Sequence, residues 1–183
     1  MGLIIVAVVV VAFVIFLIAM YNGLVQLRVR ADSSWSDIDV QLKRRHDLIP
    51  NLVETVKGYA AHEKGTFEDI AKYRSMAMQA TTPAERGVAE GQLTAALKSL
   101  FAVAENYPQL RASEQFLSLQ SSLQEIENSI QQARRYYNAV VRDLNTRIQS
   151  FPTNILAGAF GFQQRQFFQL DSAEERQNVA VKF

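Results

Sequence analysis

LIIVAVVVVAFVIFLIAM fills residues 3–20, eighteen consecutive apolar residues without a charge, a glycine or a proline. At about 1.5 Å per residue a helix of that length spans roughly 27 Å, close to the ~30 Å hydrocarbon core of a bilayer. A core helix of a soluble domain is rarely so long and so evenly apolar. The stretch therefore reads as a transmembrane helix, with residues 3–21 in lipid. A cleaved signal peptide is the poorer reading, because only Met1 and Gly2 precede the run and neither is charged. The far flank, Ala19-Met20-Tyr21-Asn22-Gly23, lacks a small-x-small cleavage pattern.

No Lys or Arg lies before the run, whereas Arg28 and Arg30 follow it closely, then Lys43, Arg44 and Arg45. Counting cations near the membrane end favours an outside N-terminus and a cytoplasmic body. The margin is narrow, since the α-amino group opposes it, and the opposite orientation stays open.

The roughly 160 residues beyond the anchor suffice for one domain with a sizeable core. All 19 Lys and Arg and all 18 Asp and Glu fall at or after Arg28 and nearly cancel. A near-neutral body without a basic stripe does not suit phosphate backbones, so nucleic acid is not an expected partner. Cysteine is absent, which removes disulfides, thiol nucleophiles and thiolate zinc sites.

Past the anchor, Leu24, Leu27, Ala31, Ile38, Leu42, Ile49, Leu52, Val56 and Tyr59 recur at spacings of three, four or seven, the mark of a helical stripe. With only Gly23 as a turn signal, the anchor and this stripe read as one long helix, bent near Pro50, the candidate hinge. A weaker zone flanked by Gly58 and Gly65 surrounds His62-Glu63 and is the candidate break in the helical stripe. Thr82-Pro83-Ala84-Glu85 has the form of a capping box with Pro at the first helical position. From Phe116 the series Leu119, Leu123, Ile126, Ile130, Ala133, Tyr137, Val140 and Leu144 alternates three and four, as a coiled-coil seam does. That face packs on helices of the same chain or on a second copy; the pattern is shared by both.

The expected fold is all-α: a transmembrane anchor over 1–22, then an antiparallel up-and-down helical bundle over 23–150. Its long helices are expected at about 23–80, 83–105 and 112–150. Residues 151–183 form an irregular aromatic and glycine-rich segment, with a short C-terminal helix opened by Ser172-Ala173-Glu174-Glu175. Phe160, Phe162, Phe167 and Phe168 either pack on the bundle as loop anchors or are candidate contacts for the membrane interface or another subunit.

The densest polar cluster is Trp35, Asp37, Asp39, Lys43, Arg44, Arg45, His46, Asp47 and Asn51. Opposite charges four and seven apart share a helix face. The plain reading is a solvated ionic face or a satisfied network between helices. The functional reading is a docking face for a partner or a second subunit, anchored by Trp35 and the arginines. Chemistry around His46 and Asp47 finds little support: helix neighbours point about 100° apart, and no nucleophile motif accompanies them. His46 and His62 lack metal-ligand spacing, and no phosphate-cradling glycine pattern occurs. The chain reads as non-enzymatic and without a cofactor.

The run Trp35-Ser36-Asp37-Ile38-Asp39-Val40-Gln41-Leu42-Lys43-Arg44-Arg45-His46-Asp47-Leu48-Ile49-Pro50-Asn51-Leu52-Val53 resembles the signature of the LemA family. Tyr107-Pro108-Gln109-Leu110, Tyr137-Asn138-Ala139-Val140-Val141 and Phe151-Pro152-Thr153-Asn154 extend the resemblance in family order. It implies a bacterial single-pass inner-membrane protein with a cytoplasmic helical bundle. Magnetosome-associated relatives imply a role in membrane organisation. The resulting expectation is a scaffold that self-associates or docks other membrane proteins. The alternative is a sensor or regulatory module for a membrane protease or signalling system.

Overall fold

The computed structural model describes residues 1–169, and among them every regular element is a helix. Six helices follow in order: α1 (Gly2–Lys57), α2 (Lys64–Gln79), α3 (Pro83–Glu105), α4 (Pro108–Arg111), α5 (Glu114–Gln149) and α6 (Thr153–Ala159). The contacts divide the chain into two compact units. Met1–Ile38 with Ala133–Gln166 make one, and Asp39–Gln132 with residues 167–169 make the other.

The first unit begins with the apolar run. Almost every residue from 3 to 19 is exposed, Leu3 at 86%, so no other described residues cover this segment. Apolar surface on all sides of a helix suits lipid and not water. Met20 is the first buried residue, followed on one face by Leu24, Ala31 and Ile38. The partner is the second half of α5, where Tyr137, Val140, Val141 and Leu144 are buried. Trp35 stacks on Tyr137 at 5.2 Å, while Gly23 and Leu27 face the stretch from Arg142 to Ser150, so α1 and α5 run antiparallel here. α6 buries Thr153 and Ala157 and turns Ile155 outward.

After α6 the chain is extended and lies along α5. The Asn145 side chain holds Arg165 on both sides, donating from Nδ2 to its carbonyl (2.9 Å) and accepting its N–H at Oδ1 (2.8 Å). The Tyr137 hydroxyl donates to the Gln166 carbonyl at 2.9 Å. Burial pushes the Tyr137 hydroxyl above its usual pKa, which keeps it a donor. These contacts replace the ladder partners that an isolated extended segment would otherwise lack.

In the second unit α1, α2, α3 and the first half of α5 alternate in direction. Lys57 lies over Phe67 while Arg74 reaches the His46 carbonyl, so α2 returns along α1. Phe101 meets Phe116 across the α3–α5 turn, and Arg45 bridges Glu90 and Glu127 further along. This is the up-and-down arrangement that short connections dictate. Its core includes Ile49, Leu52, Val56, Phe67, Ile70, Leu93, Leu97, Leu100, Leu110, Phe116 and Leu123. At the start of α3, the Thr82 hydroxyl accepts the Glu85 N–H while the Glu85 carboxylate accepts the Thr82 N–H. Those backbone donors on Thr82 and Thr81 hold the Glu85 carboxyl below its usual pKa.

Several expectations change. The helix expected over 23–80 is two helices, broken at residues 58–63 between the end of α1 and the start of α2. Because the helix stops at Lys57, the stripe does not carry on to Tyr59, which is exposed; Ala60 is buried instead. Unchanged is α1, which runs from the anchor through Pro50 as one helical element. Residues 153–159, expected to be irregular, form a short helix. Along α5 burial follows Phe116, Leu123, Ile130, Tyr137 and Leu144, with Leu119, Ile126 and Ala133 only half covered and Val141 added. The expected helix after Ser172 lies outside the described residues.

Candidate functional site

The polar cluster of α1 divides between inside and outside. Ile38, Leu42, Arg45, Ile49 and Leu52 are all buried, and their spacing of four, three, four, three places Arg45 in the core stripe itself. His46 beside it is also buried. Asp37, Lys43, Arg44, Asp47, Pro50 and Asn51 face outward with Val40. Asp39 is half-buried and pairs with Arg86 of α3. Trp35 is half-buried on Tyr137. The nine residues are therefore not one docking face, since Arg45 and His46 point into the bundle.

A guanidinium in a core stripe needs its charge and donors met. Arg45 Nη1 lies 2.9 Å from Glu90 Oε2, and Nη2 donates to Thr94 Oγ1 at 2.7 Å. Arg45 Nε lies 2.9 Å from Glu127 Oε1, a charge contact whose N–H is not aligned for a hydrogen bond. The second Glu90 oxygen is 2.8 Å from His46 Nε2. That oxygen accepts, so Nε2 carries the proton. Arg74 Nε donates to the His46 carbonyl at 2.9 Å, drawing α2 into the same cluster. Glu90, with no exposed side-chain surface, has both oxygens engaged. The arrangement is a closed ionic tie between α1, α3 and α5.

Burial pushes the Glu127 carboxyl above its usual pKa; Arg45 pulls it down and Glu90 adds to the rise. A folded-state pKa above the unfolded value means the native chain holds that proton more tightly. This contribution to stability therefore falls as pH rises from the ordinary 4.5 through the raised value. Glu127→Gln is expected to flatten that decline, as melting temperatures compared across pH would show. Glu85 acts with the opposite sign, its contribution fading as pH falls below the ordinary range.

The aromatic candidates also separate. Phe160 is 61% exposed, with its ring 5.0 Å from Tyr21; Phe162 meets the edge of Tyr21 and lies under the Arg28 guanidinium. Phe167 is at the surface, but Phe168 is fully buried and so is unavailable for an external contact. Among the described residues, no three His, Asp or Glu side chains gather to hold a metal ion.

Residues 34–183 match the LemA family. The chain belongs to the LemA family. It is 28% identical to magnetosome protein MamQ 1 of Paramagnetospirillum magneticum, over 87% of this chain and 68% of that protein. Magnetosome protein MamQ of Magnetospirillum gryphiswaldense is 26% identical over 86% of this chain and 68% of its own length. Protein LemA of Metamycoplasma hominis is 27% identical over 84% and 70%.

In this LemA-family chain the residues that sequence reasoning missed are the partners on other helices: Glu90, Thr94, Glu127, Arg74 and Arg86. Glu90 carried a usable signal. It stands three residues before Leu93 in the stripe Leu93, Leu97, Leu100, Ala104. A lone acid in one core stripe and a lone arginine in another are a complementary pair.

Proposed function

We propose that this LemA-family chain is a non-enzymatic, membrane-anchored helical scaffold. It self-associates or docks partner proteins at the bacterial inner-membrane surface, with its N-terminus outside and its body in the cytoplasm. The observation that carries the reading is α1. One helix supplies an apolar segment that the other described residues leave uncovered and, beyond it, an outward face with Val40, Lys43, Arg44, Asp47 and Asn51. Anchoring concentrates such a face in two dimensions, so weak lateral contacts become effective. The ionic tie supports the non-enzymatic part, because both Glu90 oxygens and the Arg45 Nη1 and Nη2 groups are engaged within the bundle. Likeness to proteins named as magnetosome proteins extends the proposal to membrane organisation.

Photo-crosslinkers placed singly at Lys43, Arg44 and Asp47 in native membranes are expected to give adducts of defined mass. These would be either two copies of the 20.6 kDa chain or the chain with another protein. Monomer alone from all three positions overturns the scaffold reading. A reporter active only in the cytoplasm, fused after Phe183, tests the orientation separately.

A further inference from the structure

Beside the end of the apolar run, α1 and α5 enclose a cleft of about 570 Å³ in the first unit. Its lining changes in character along the helices. Phe16, within the run, and Phe151, which is 80% exposed, form one end. Arg147 and Arg142 lie about one and two and a half turns up α5 from Phe151, and both also line the cleft. Asp143 is the acid among the lining residues, so the arginines leave the cleft net positive. Gly23 lies between these ends, and a Cβ built there would meet nothing within 4 Å.

We propose that this cleft binds one anionic phospholipid of the bilayer that α1 spans. The phosphate sits on the Arg142 and Arg147 guanidinium groups, and an acyl chain descends past Phe151 and Phe16. The inference rests on residues 3–20 being a membrane span. Three observations point to lipid as the occupant. The cleft is continuous with the span, because Phe16 belongs to both. Its order from aromatic to cationic follows the order from hydrocarbon to headgroup, which begins within a few ångströms of the span's end near Met20. Arg142 and Arg147 are exposed, and guanidinium is the side chain best shaped to grip phosphate oxygens in pairs. Exposed phenylalanine at Phe151 is costly in water and favourable at a membrane interface.

The test uses the full chain in zwitterionic detergent micelles, titrated with phosphatidylglycerol or phosphatidylcholine, with bound lipid counted by native mass spectrometry. Wild-type protein is expected to retain one phosphatidylglycerol in preference to phosphatidylcholine. Removing two surface cations in Arg142→Gln/Arg147→Gln should weaken retention on the order of 20-fold. Gly23→Leu should weaken it by filling the cleft with the charges intact, and circular dichroism should show both variants folded. Equal retention of the two lipids, or wild-type retention by the arginine double variant, overturns the proposal. Inorganic phosphate binding as tightly as the lipid also overturns it, by making this a site for the free ion. Alkaline extraction of membranes checks the span itself. A chain released by that treatment overturns both the span and the site; a chain retained but without lipid preference overturns the site alone.

Discussion

Glu90→Ala is expected to lower the stability of the folded chain by about 3–5 kcal/mol, the usual cost of removing one partner from a buried ion pair. The loss arises from what stays behind. Arg45 loses the oxygen 2.9 Å from Nη1, and His46 loses its acceptor at 2.8 Å, while both side chains remain in the core. Glu127 is a poor substitute, because burial already disfavours its charged form. Removing both ends of the tie should behave differently. Arg45→Met/Glu90→Leu exchanges the pair for apolar groups of similar volume, a change that is often neutral or stabilising in buried pairs. Denaturation of the full chain in mild detergent, followed by far-ultraviolet circular dichroism, should show a melting temperature lower by on the order of 10 °C for Glu90→Ala. The double variant should recover only part of that loss, because Arg45 no longer stays behind unpaired while buried His46 still lacks its acceptor and Glu127 its cation. If Glu90→Ala costs less than about 1 kcal/mol, water reaches the cluster and the tie is not closed.

The same cluster shows why part of the molecule is legible from its sequence. Capping residues and periodicity together find α3, because Thr82, Pro83 and Glu85 mark its start and Leu93, Leu97, Leu100 and Ala104 its buried face. Periodicity also finds the apolar run, whose exposure follows from its composition. Contacts between helices are another matter. Asp39 and Lys43 are four apart on one helix and suggest each other, yet Asp39 pairs with Arg86, 47 residues away. A local spacing rule cannot see that partner. Adjacency places Arg45 with Arg44 and Lys43, although 100° per residue separates the core position from its surface neighbours. Reading the stripe through the charge would have placed Arg45 inside and raised the question of which acid meets it. The extended segment after α6 gives no periodic signal at all, since its backbone partners are the side chains of Asn145 and Tyr137.

That segment governs the second large effect. Gly87 is buried in the second turn of α3, where the chain passes close at Gln169. A Cβ at Gly87 would stand 1.9 Å from the Gln169 carbonyl oxygen and 2.9 Å from its carbon, both backbone atoms that cannot swing aside. Helix propensity alone predicts that Gly87→Ala stabilises α3 by about 1 kcal/mol. Steric exclusion opposes it, because the segment must lift and take Phe168, now fully buried, toward water. Burial of a phenylalanine contributes about 1.5–3 kcal/mol, and Phe168→Ala itself should cost about 3–5 kcal/mol. Exclusion wins, so Gly87→Ala should destabilise the chain by about 1–2 kcal/mol despite its better propensity. The double variant decides the mechanism. Once Phe168→Ala has removed the anchoring ring, Gly87→Ala should cost nothing further and recover its propensity gain, a coupling that a double-mutant cycle measures directly. Additive losses would mean that the alanine disturbs α3 by another route, and a stabilising Gly87→Ala would mean that the segment shifts aside with Phe168 still buried.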